Sequence, residues 1–352
     1  MRMSEYCRNN VGMTYEPPLS LTDAIVSLVA EIGELAGRVD ARGRLDRSPR
    51  LRRENRIRTI HSSLAIEANT LSLVQVSAIL DGRRILAPPR DLLEVRNAIN
   101  TYEALETFDP VAIDDLLRAH RMLMGGLVDE AGRLRSTNVG VFDSDRLIHA
   151  GTPAKYVGTA MADLLEWLGT TAAHPLISSC VFHYEFEFIH PFRDGNGRMG
   201  RLWQTVVLAR WNPLFAWLPV ESVVKDHQED YYAALRRSDA AGEATTFVEF
   251  MLSMLAASLR ELVDVDGSDE PNPGDGDSAS RILRELRADP SMSMATLATT
   301  VGVSARQVER VIARLKKEGR IRRIGARRNG HWVVEPNTPG RLGSGGQSPP
   351  RD

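Results

Sequence analysis

A loop rich in proline and glycine, within His190–Arg201, separates two stretches of helical periodicity and constrains the fold more than any other feature. Pro191 must end the helix that carries Phe182 to Ile189, because the residue before a proline is disfavoured in the α region. After the loop, apolar residues again recur at helical spacing. Gly195 to Gly197 are therefore expected at the N-terminus of a second helix, where glycine allows a tight turn close to a ligand.

The residue types of this loop suit a phosphate group. Free backbone N–H groups and the positive end of the helix dipole attract anions, and Arg198 and Arg201 lie three residues apart on one face, where they can fork onto phosphate oxygens. Asp194 supplies hard oxygen ligands suited to Mg²⁺ shared with substrate phosphates. His190, with an ordinary pKa of about 6.5, is a candidate general base for a hydroxyl nucleophile.

The sequence favours neither a zinc site nor a calcium site in this region. His183, Glu187 and His190 recur at a spacing that could present zinc ligands, but Pro191 interrupts the helix and no third histidine or cysteine is nearby. A calcium loop beginning at Asp194 would need a glutamate where the chain has Thr205.

The loop resembles the signature of the Fic family, His-Pro-Phe-x-x-Gly-Asn-Gly-Arg-x-x-Arg, with all eight fixed positions filled. The resemblance implies a mainly α fold, a Fic-type helical bundle with a small β-hairpin flap. It also implies a protein adenylyltransferase, which moves AMP from ATP, with Mg²⁺, onto a Ser, Thr or Tyr hydroxyl of a target protein or of itself. In the implied mechanism His190 removes the hydroxyl proton and Asp194 holds the metal. The implied phosphate contacts are Gly195, Asn196 and Gly197 at the α-phosphate, and Arg198 and Arg201 at the β- and γ-phosphates.

A second segment, Ser63–Asn69, resembles the inhibitory helix motif of the same family, Ser/Thr-x-x-x-Glu-Gly/Asn. The resemblance implies that Ser63 and Glu67 are inhibitory residues, with Glu67 against Arg201. Ala68 replaces the glycine or asparagine, and because alanine is small and a good helix former, Glu67 should still be presented. The alternative is that Glu67 positions a water for removal of AMP.

Two further segments extend the resemblance. Arg133–Val141 and Ile148–Pro153 resemble the two sides of the flap, the hairpin that holds the target segment. Tyr231–Leu235, followed by Asp239, resembles the helix that lines the adenine pocket, which makes Tyr232 and Asp239 candidate nucleotide-binding residues.

The C-terminal part of the chain has a different pattern. After an acidic Pro/Gly linker, helical periodicity over Ala279–Ala288, Met294–Val301 and Arg306–Glu318 is followed by strand-like alternation over Ile321–Ile324 and His331–Val334. That order resembles a winged helix-turn-helix, whose third helix is the recognition element.

Charge favours DNA as the partner of this module. Ala279–Glu335 contains thirteen Arg/Lys and five Asp/Glu, a difference of +8, whereas the whole chain carries a net charge of −2. We expect Arg306 and Arg310 at the major groove and Arg327 and Arg328 at phosphates. The alternative is a winged helix used for protein contacts or dimerisation.

These patterns predict an N-terminal helical region (1–110), a catalytic domain (111–263), a linker (264–278), a winged helix domain (279–336) and a disordered tail (337–352). Two cysteines, Cys7 and Cys180, cannot form a disulfide framework, and the N-terminus lacks an apolar signal region, so we expect a cytoplasmic protein without membrane association. A homodimer is compatible with the sequence. A competing function is a DNA-binding transcriptional regulator whose nucleotide site acts as a sensor with little turnover.

Overall fold

A computed structural model describes residues 15–42, 45, 48–143, 146–267, 275–303, 305–317, 320–324 and 331–334. The contacts divide the chain into two compact units, Met1–Val263 and Asp264–Asp352. Helices dominate both units, which confirms the predicted mainly α fold class. None of the described helices combines the length and the apolar character needed to cross a bilayer.

The first unit is a helical bundle with one hairpin. Its elements are α1 (Asp23–Arg42), α2 (Pro49–Ile66), α3 (Leu73–Leu80), α4 (Pro89–Glu103), a 3₁₀ turn (Leu105–Thr107), α5 (Ile113–Met124), β1 (Gly140–Asp143), β2 (Arg146–Ala150), α6 (Ala154–Thr170), α7 (Pro175–Ile189), α8 (Asn196–Trp211), a second 3₁₀ turn (Pro213–Trp217), α9 (Val220–Asp226), α10 (Gln228–Ala241) and α11 (Thr245–Gly267).

The helix pair α7–α8 forms the centre of this unit. Every residue of α7 from Leu176 to Phe186 is buried, so this helix is surrounded by the bundle on all sides. The core around the pair is filled by large aromatic side chains that are fully buried, namely Phe182, Phe186, Phe192, Trp203, Phe215, Tyr231 and Phe247. The loop between α7 and α8 is therefore held at both ends by rigid elements.

The hairpin lies between α5 and α6. Strands β1 and β2 are antiparallel, with Gly140 opposite Ala150 and Asp143 opposite Arg146, and a bulge between Val141 and Phe142. The resemblance placed the hairpin sides at Arg133–Val141 and Ile148–Pro153. The paired strands lie closer to the tip of the hairpin than those segments, because residues 133–139 precede β1 and residues 151–153 follow β2 without strand pairing.

The second unit has its own core, and its elements are α12 (Asp275–Ala288), α13 (Met294–Val301), α14 (Ala305–Lys317), β3 (Ile321–Ile324) and β4 (His331–Val334). Strands β3 and β4 pair antiparallel. The core contains Ile282, Leu286, Leu297, Val308, Leu315 and Trp332. The bounds of α13, β3 and β4 are those predicted from periodicity.

Helices extend into both ends of the segment predicted as a linker, 264–278. Helix α11 continues to Gly267 and α12 begins at Asp275, four residues before the predicted Ala279. Aspartates in a first helical turn interact favourably with the helix dipole, so the acidic residues Asp275 and Asp277 suit a helix start. The predicted tail 337–352 lies outside the described residues.

Candidate active site

The loop between α7 and α8 begins with a strained residue. His190 ends α7 in the left-handed conformation, with φ 52° and ψ 62°, and its N–H donates to the Phe186 carbonyl at 2.9 Å. A non-glycine residue in this region costs on the order of 1 kcal/mol, and such strain concentrates at functional sites. The half-buried ring has Nδ1 3.4 Å from the Glu187 carbonyl oxygen. Because a carbonyl can only accept, this contact favours a proton on Nδ1 and leaves Nε2 basic.

Gly195 forms the turn that starts α8. It is the N-cap, with φ 85°, and a side chain there would meet the Met124 Sδ at 2.7 Å. Glycine is thus required both by its backbone conformation and by the lack of space. The first N–H groups of an α-helix have no acceptor within the helix, so the start of α8 is a candidate anion site, and the Gly195 N–H there donates to Asp194 Oδ1 at 2.6 Å.

The side chain of Asn196 supports the loop. Its Oδ1 accepts from the Phe192 N–H and its Nδ2 donates to the Phe192 carbonyl, both at 2.9 Å. The side chain is buried. These two hydrogen bonds hold Phe192 and use one acceptor position of Oδ1 and one N–H of Nδ2, so the role of Asn196 at the α-phosphate stays a prediction.

A second histidine, His120, also supports the loop, and this role was not predicted from the sequence. The ring of His120, on α5, stacks on Phe192 with centroids 3.6 Å apart and planes 3° apart. Its Nδ1 accepts from the Gly132 N–H at 2.8 Å, so Nε2 carries the proton and donates to the Asp194 carbonyl at 3.0 Å. Burial lowers the pKa of His120 to about 4, which keeps the ring neutral near pH 7.

Asp194 and Arg198 form a charged cluster where the loop joins α8. Asp194 Oδ1 accepts from the Gly195 N–H at 2.6 Å and from Arg198 Nη2 at 3.3 Å, while 42% of the side chain stays exposed. Arg198 is buried, and its Nη1 lies 3.4 Å from Glu94 on α4. Its Nε has no partner among the described residues, so one buried donor at this site remains open to an acceptor.

The second arginine of the loop is held by α2. Arg201 Nη2 donates to Glu67 Oε1 at 2.7 Å and to the Ser63 carbonyl at 3.1 Å, and its Nε donates to Ser63 Oγ at 3.3 Å. Burial alone lowers the pKa of Arg201, but Glu67 and its other acidic neighbours more than offset this and raise it. A methyl group on Gly197 would lie 2.5 Å from Glu67 Oε1. The Glu67 carboxylate therefore lies against the glycine loop.

The residue after Glu67 lies beyond the end of helix α2. Helix α2 ends at Ile66, and Ala68 has φ 65°, in the left-handed region. Its helix propensity therefore does not act at this position, although the expected outcome holds, since Glu67 is presented to Arg201 at 2.7 Å. Glycine and asparagine, the motif residues at this position, adopt this conformation readily, whereas alanine pays about 1 kcal/mol for it.

The two candidate adenine-binding residues, Tyr232 and Asp239, have different surroundings. Tyr232 is 39% exposed and packs edge-on against the buried Tyr231, with ring centroids 5.3 Å apart. The Asp239 carboxylate accepts from Tyr184 Oη at 3.1 Å. An incoming base would therefore share Asp239 with Tyr184.

The buried side chains next to Tyr231 are hydrogen-bonded to one another. His183 contacts Gln204 Oε1 at 2.7 Å and Tyr231 Oη at 3.1 Å, and burial lowers its pKa to about 3. Both ring nitrogens of His183 are thus engaged in hydrogen bonds. Burial raises the pKa of Glu187 to about 8. Within the described part of the chain, no three His, Cys, Asp or Glu side chains converge to hold a metal ion.

The candidate DNA contacts are described only in part. Arg310 lies half-buried on α14, and of Arg306 only the backbone, within the same helix, is described. Arg327 and Arg328 lie outside the described residues. Strand β3 exposes Arg322 and Arg323, and the guanidinium of Arg323 stands 5.3 Å from the centre of the Trp332 ring.

Comparison with known proteins agrees with this geometry. Residues 110–208 match the Fic/DOC family model, and residues 277–322 match a model described as winged helix-turn-helix DNA-binding. The crystal structure of a Fic family protein from Desulfovibrio desulfuricans is 47% identical, covers 92% of this chain and 100% of that one, and superposes with a TM-score of 0.70.

More distant relatives share the fold. The protein adenylyltransferase fic-1 of Caenorhabditis elegans is 29% identical over 252 residues, which are 64% of this chain and 47% of that protein. A solved part of Fic-1 from the same organism is 24% identical, covers 70% of this chain and 73% of that one, and has a TM-score of 0.56. The chain spans about half the length of the curated relatives it matches. The family match, the extent of the Desulfovibrio likeness and the complete signature loop together establish that this chain belongs to the Fic/DOC family.

Proposed function

We propose that this protein transfers AMP from ATP to a hydroxyl side chain of a protein. The observation that carries the proposal is the loop between α7 and α8, which places His190, Asp194 and two buried arginines around the N-terminus of α8. Relatives named protein adenylyltransferase support the same reaction class.

The site fits a polyphosphate. The first-turn N–H groups of α8 offer an anion site, and Arg198, 5% exposed, has an open Nε donor beside them. Arg201 has the fork geometry for a second phosphate once Glu67 moves away. These contacts bind and orient the nucleotide so that its α-phosphorus faces His190.

Asp194 is the residue that would hold Mg²⁺. Its partly exposed carboxylate fits an ion that keeps several waters and shares phosphate oxygens, since Mg²⁺ is commonly bound by one or two carboxylates. When bound, the ion supplies neutralisation of the phosphate charge that grows as pyrophosphate leaves.

His190 is the general base in this proposal. The target hydroxyl gives its proton to Nε2 as its oxygen bonds to the α-phosphorus, and the bond from that phosphorus to the bridging oxygen breaks to release pyrophosphate. The carbonyl contact at Nδ1 holds the tautomer that this step needs.

Intact mass spectrometry of the purified chain, incubated with ATP and Mg²⁺, tests this step. We expect an added mass equal to AMP less one water, and His190→Ala should slow its appearance by about 10² to 10⁴-fold, the usual effect of removing a general base. ATP binding should be nearly unchanged, because the phosphate contacts come from other residues. The matched control is His61→Ala, a half-buried histidine on α2. A His190→Ala protein that adds AMP at the parent rate would reject the assignment.

The second unit supports an additional function, binding of duplex DNA. The observations that favour it are the match of residues 277–322 to a DNA-binding winged helix model and the arginines exposed on β3. The regulator that only senses nucleotide remains the alternative to catalysis, and the mass measurement distinguishes the two.

A further inference from the structure

A buried arginine outside the signature loop makes an unusual set of contacts. Arg135, in the segment between α5 and β1, is 3% exposed. Its Nη1 donates to the Thr137 carbonyl at 2.9 Å, and its Nη2 donates to the carbonyls of Thr152 and, at 3.1 Å, Ile189. Its Nε donates to the His190 carbonyl at 2.7 Å. Burial lowers the pKa of Arg135, and its partners in the described part of the chain are carbonyl oxygens, not carboxylates.

These carbonyls belong to three separate segments. Thr137 lies three residues before β1, Thr152 lies two residues after β2, and Ile189 and His190 form the end of α7. A backbone hydrogen bond of 3.0 Å from the Arg135 N–H to the Pro191 carbonyl adds a further link to the loop between α7 and α8. One guanidinium thus joins both stems of the hairpin to the residue that carries the candidate base.

The packing around Arg135 is close. A methyl group on Gly151 would lie 3.2 Å from Arg135 Nη2 and 3.5 Å from the Cβ of His190. The exit of the hairpin, Arg135 and His190 are therefore direct neighbours. His190 also has a strained backbone, and the Arg135 hydrogen bond to its carbonyl helps to hold that conformation.

We propose that Arg135 is a positioning residue that fixes the hairpin relative to His190 and so aligns a bound target hydroxyl with the base. This inference rests on the proposed function and on the flap role of the hairpin. Arg135 acts on transfer to protein more than on nucleotide binding, because the proposed phosphate contacts lie beyond Pro191, in Gly195–Arg201.

The chemistry of arginine makes this role specific. A planar guanidinium presents donors in a fixed fork, whereas a lysine ammonium is a point charge that cannot reach carbonyls on three segments at once. Arg135→Lys keeps the charge and most of the volume but loses this geometry. A displacement of about 1 Å between reacting groups costs on the order of 10²-fold in rate.

The test uses the full-length chain carrying Glu67→Gly, with and without Arg135→Lys or Arg135→Met. The measurements are self-modification, slow conversion of ATP to AMP with water as acceptor, and ATP binding by calorimetry. We expect each Arg135 variant to lower self-modification about 10²-fold, with ATP affinity within about twofold of the parent. Conversion with water should fall much less, because water needs no alignment by the hairpin. The matched control is Arg118→Lys, since Arg118 Nη2 also donates to a backbone carbonyl, that of Thr107, at 2.9 Å.

A measurement independent of activity accompanies these assays. Hydrogen exchange in residues 137–152 and at His190 should become faster in the Arg135 variants and stay unchanged in Arg118→Lys, while exchange in α8 stays constant. Equal self-modification and equal exchange in Arg135→Lys and its parent would overturn the inference. Equal losses of transfer, water reaction and ATP affinity would overturn it too, since they would indicate general damage to the fold. A Glu67→Gly parent that modifies nothing would count against the proposed function, and the exchange data would still decide the role of Arg135.

Discussion

Two non-glycine residues among those described have left-handed backbones, His190 and Ala68. Both lie at the candidate site, one carrying the proposed base and the other following the carboxylate that contacts Arg201. His190 is held by Pro191 and by the hydrogen bond from Arg135. Ala68 is exposed, so its strain is a local cost that a single substitution can remove.

Ala68→Gly should stabilise the protein by about 0.5 to 1 kcal/mol. Glycine removes the left-handed penalty of about 1 to 2 kcal/mol but loses part of the gain because its unfolded chain is more flexible. Urea unfolding of the two proteins measures the difference. The control is Ala65→Gly, inside α2, which should destabilise by about 0.5 to 1 kcal/mol. A less stable Ala68→Gly protein would show that the strain at Ala68 is not relieved by glycine.

His120 makes stability depend on pH in a defined direction. Its folded-state pKa of about 4 lies below its unfolded value of about 6.5, so the unfolded chain binds more protons between these values. Its contribution is therefore fully present above pH 6.5 and is lost as the pH falls toward 4. Burial raises the pKa of Glu187 to about 8, so its contribution to stability decreases as the pH rises from its unfolded pKa toward 8. The pH dependence of wild-type stability therefore combines opposite contributions and does not isolate His120.

The comparison of wild type with His120→Gln isolates the histidine. Between pH 7.5 and pH 5 the wild-type free energy of unfolding should fall by about 2 kcal/mol more than that of the variant. Urea unfolding at the two pH values, with equal salt, gives both numbers. Parallel pH curves would mean that His120 is not buried in its neutral form.

The α7–α8 pair shows what sequence could and could not predict. Pro191 and the glycines act on the backbone next to them, so the helix ends and the loop were predictable from local chemistry. His120 and Arg135 were not, because their partners Asp194 and His190 lie 74 and 55 residues away in the chain. A histidine on the apolar face of α5 and an arginine in a loop have no local signal that distinguishes them from structural residues.

Local sequence patterns also failed to predict three features of the structure, at Asn196, at Ala68 and at the start of α12. Asn196 was expected at the α-phosphate because of its place in the motif, but the hydrogen bonds of its amide to Phe192, four residues away, were not predicted. Ala68 was judged by helix propensity, although the backbone there had already left the helix. In α12, the acidic Pro/Gly composition suggested a linker, while Asp275 and Asp277 suit the first turn of a helix.

The contact between α2 and α8 predicts restraint of activity. Glu67→Gly should raise self-modification on the order of tenfold or more, since about 1.4 kcal/mol of lost attraction to Arg201 corresponds to a factor of ten. Arg201→Ala should abolish it in either background. Glu54→Ala is the control, because Glu54 lies exposed on the same helix and pairs with Arg50. An unchanged rate in Glu67→Gly would contradict the inhibitory role. Loss of AMP release from modified protein would instead favour the role of positioning a water.

The two units predict a protein with two separable binding properties. If the second unit binds duplex DNA, each phosphate contact contributes about 0.9 to the slope of log affinity against log salt. Replacing Arg327 and Arg328 together by alanine in the full-length chain should therefore flatten the slope by up to about 1.8. Replacing Arg306 should relax sequence preference and change the slope less.

Fluorescence anisotropy with labelled genomic duplexes over a salt series measures these slopes. The control is the double replacement of Arg236 and Arg237, which are exposed on α10 of the first unit and should leave the slope unchanged. Absence of any salt-dependent binding at low salt would contradict the DNA role. The winged helix would then be interpreted as a surface for protein contacts.

Transfer of AMP by the loop between α7 and α8 is tested most directly by the position of the label on ATP. The full-length Glu67→Gly protein is incubated with Mg²⁺ and with ATP labelled either at the α- or at the γ-phosphate, beside the same protein carrying His190→Ala. We expect protein-bound label from α-labelled ATP only, and its loss in the His190→Ala protein. Label from the γ-phosphate, or no label from either nucleotide in a protein that binds ATP, would contradict it.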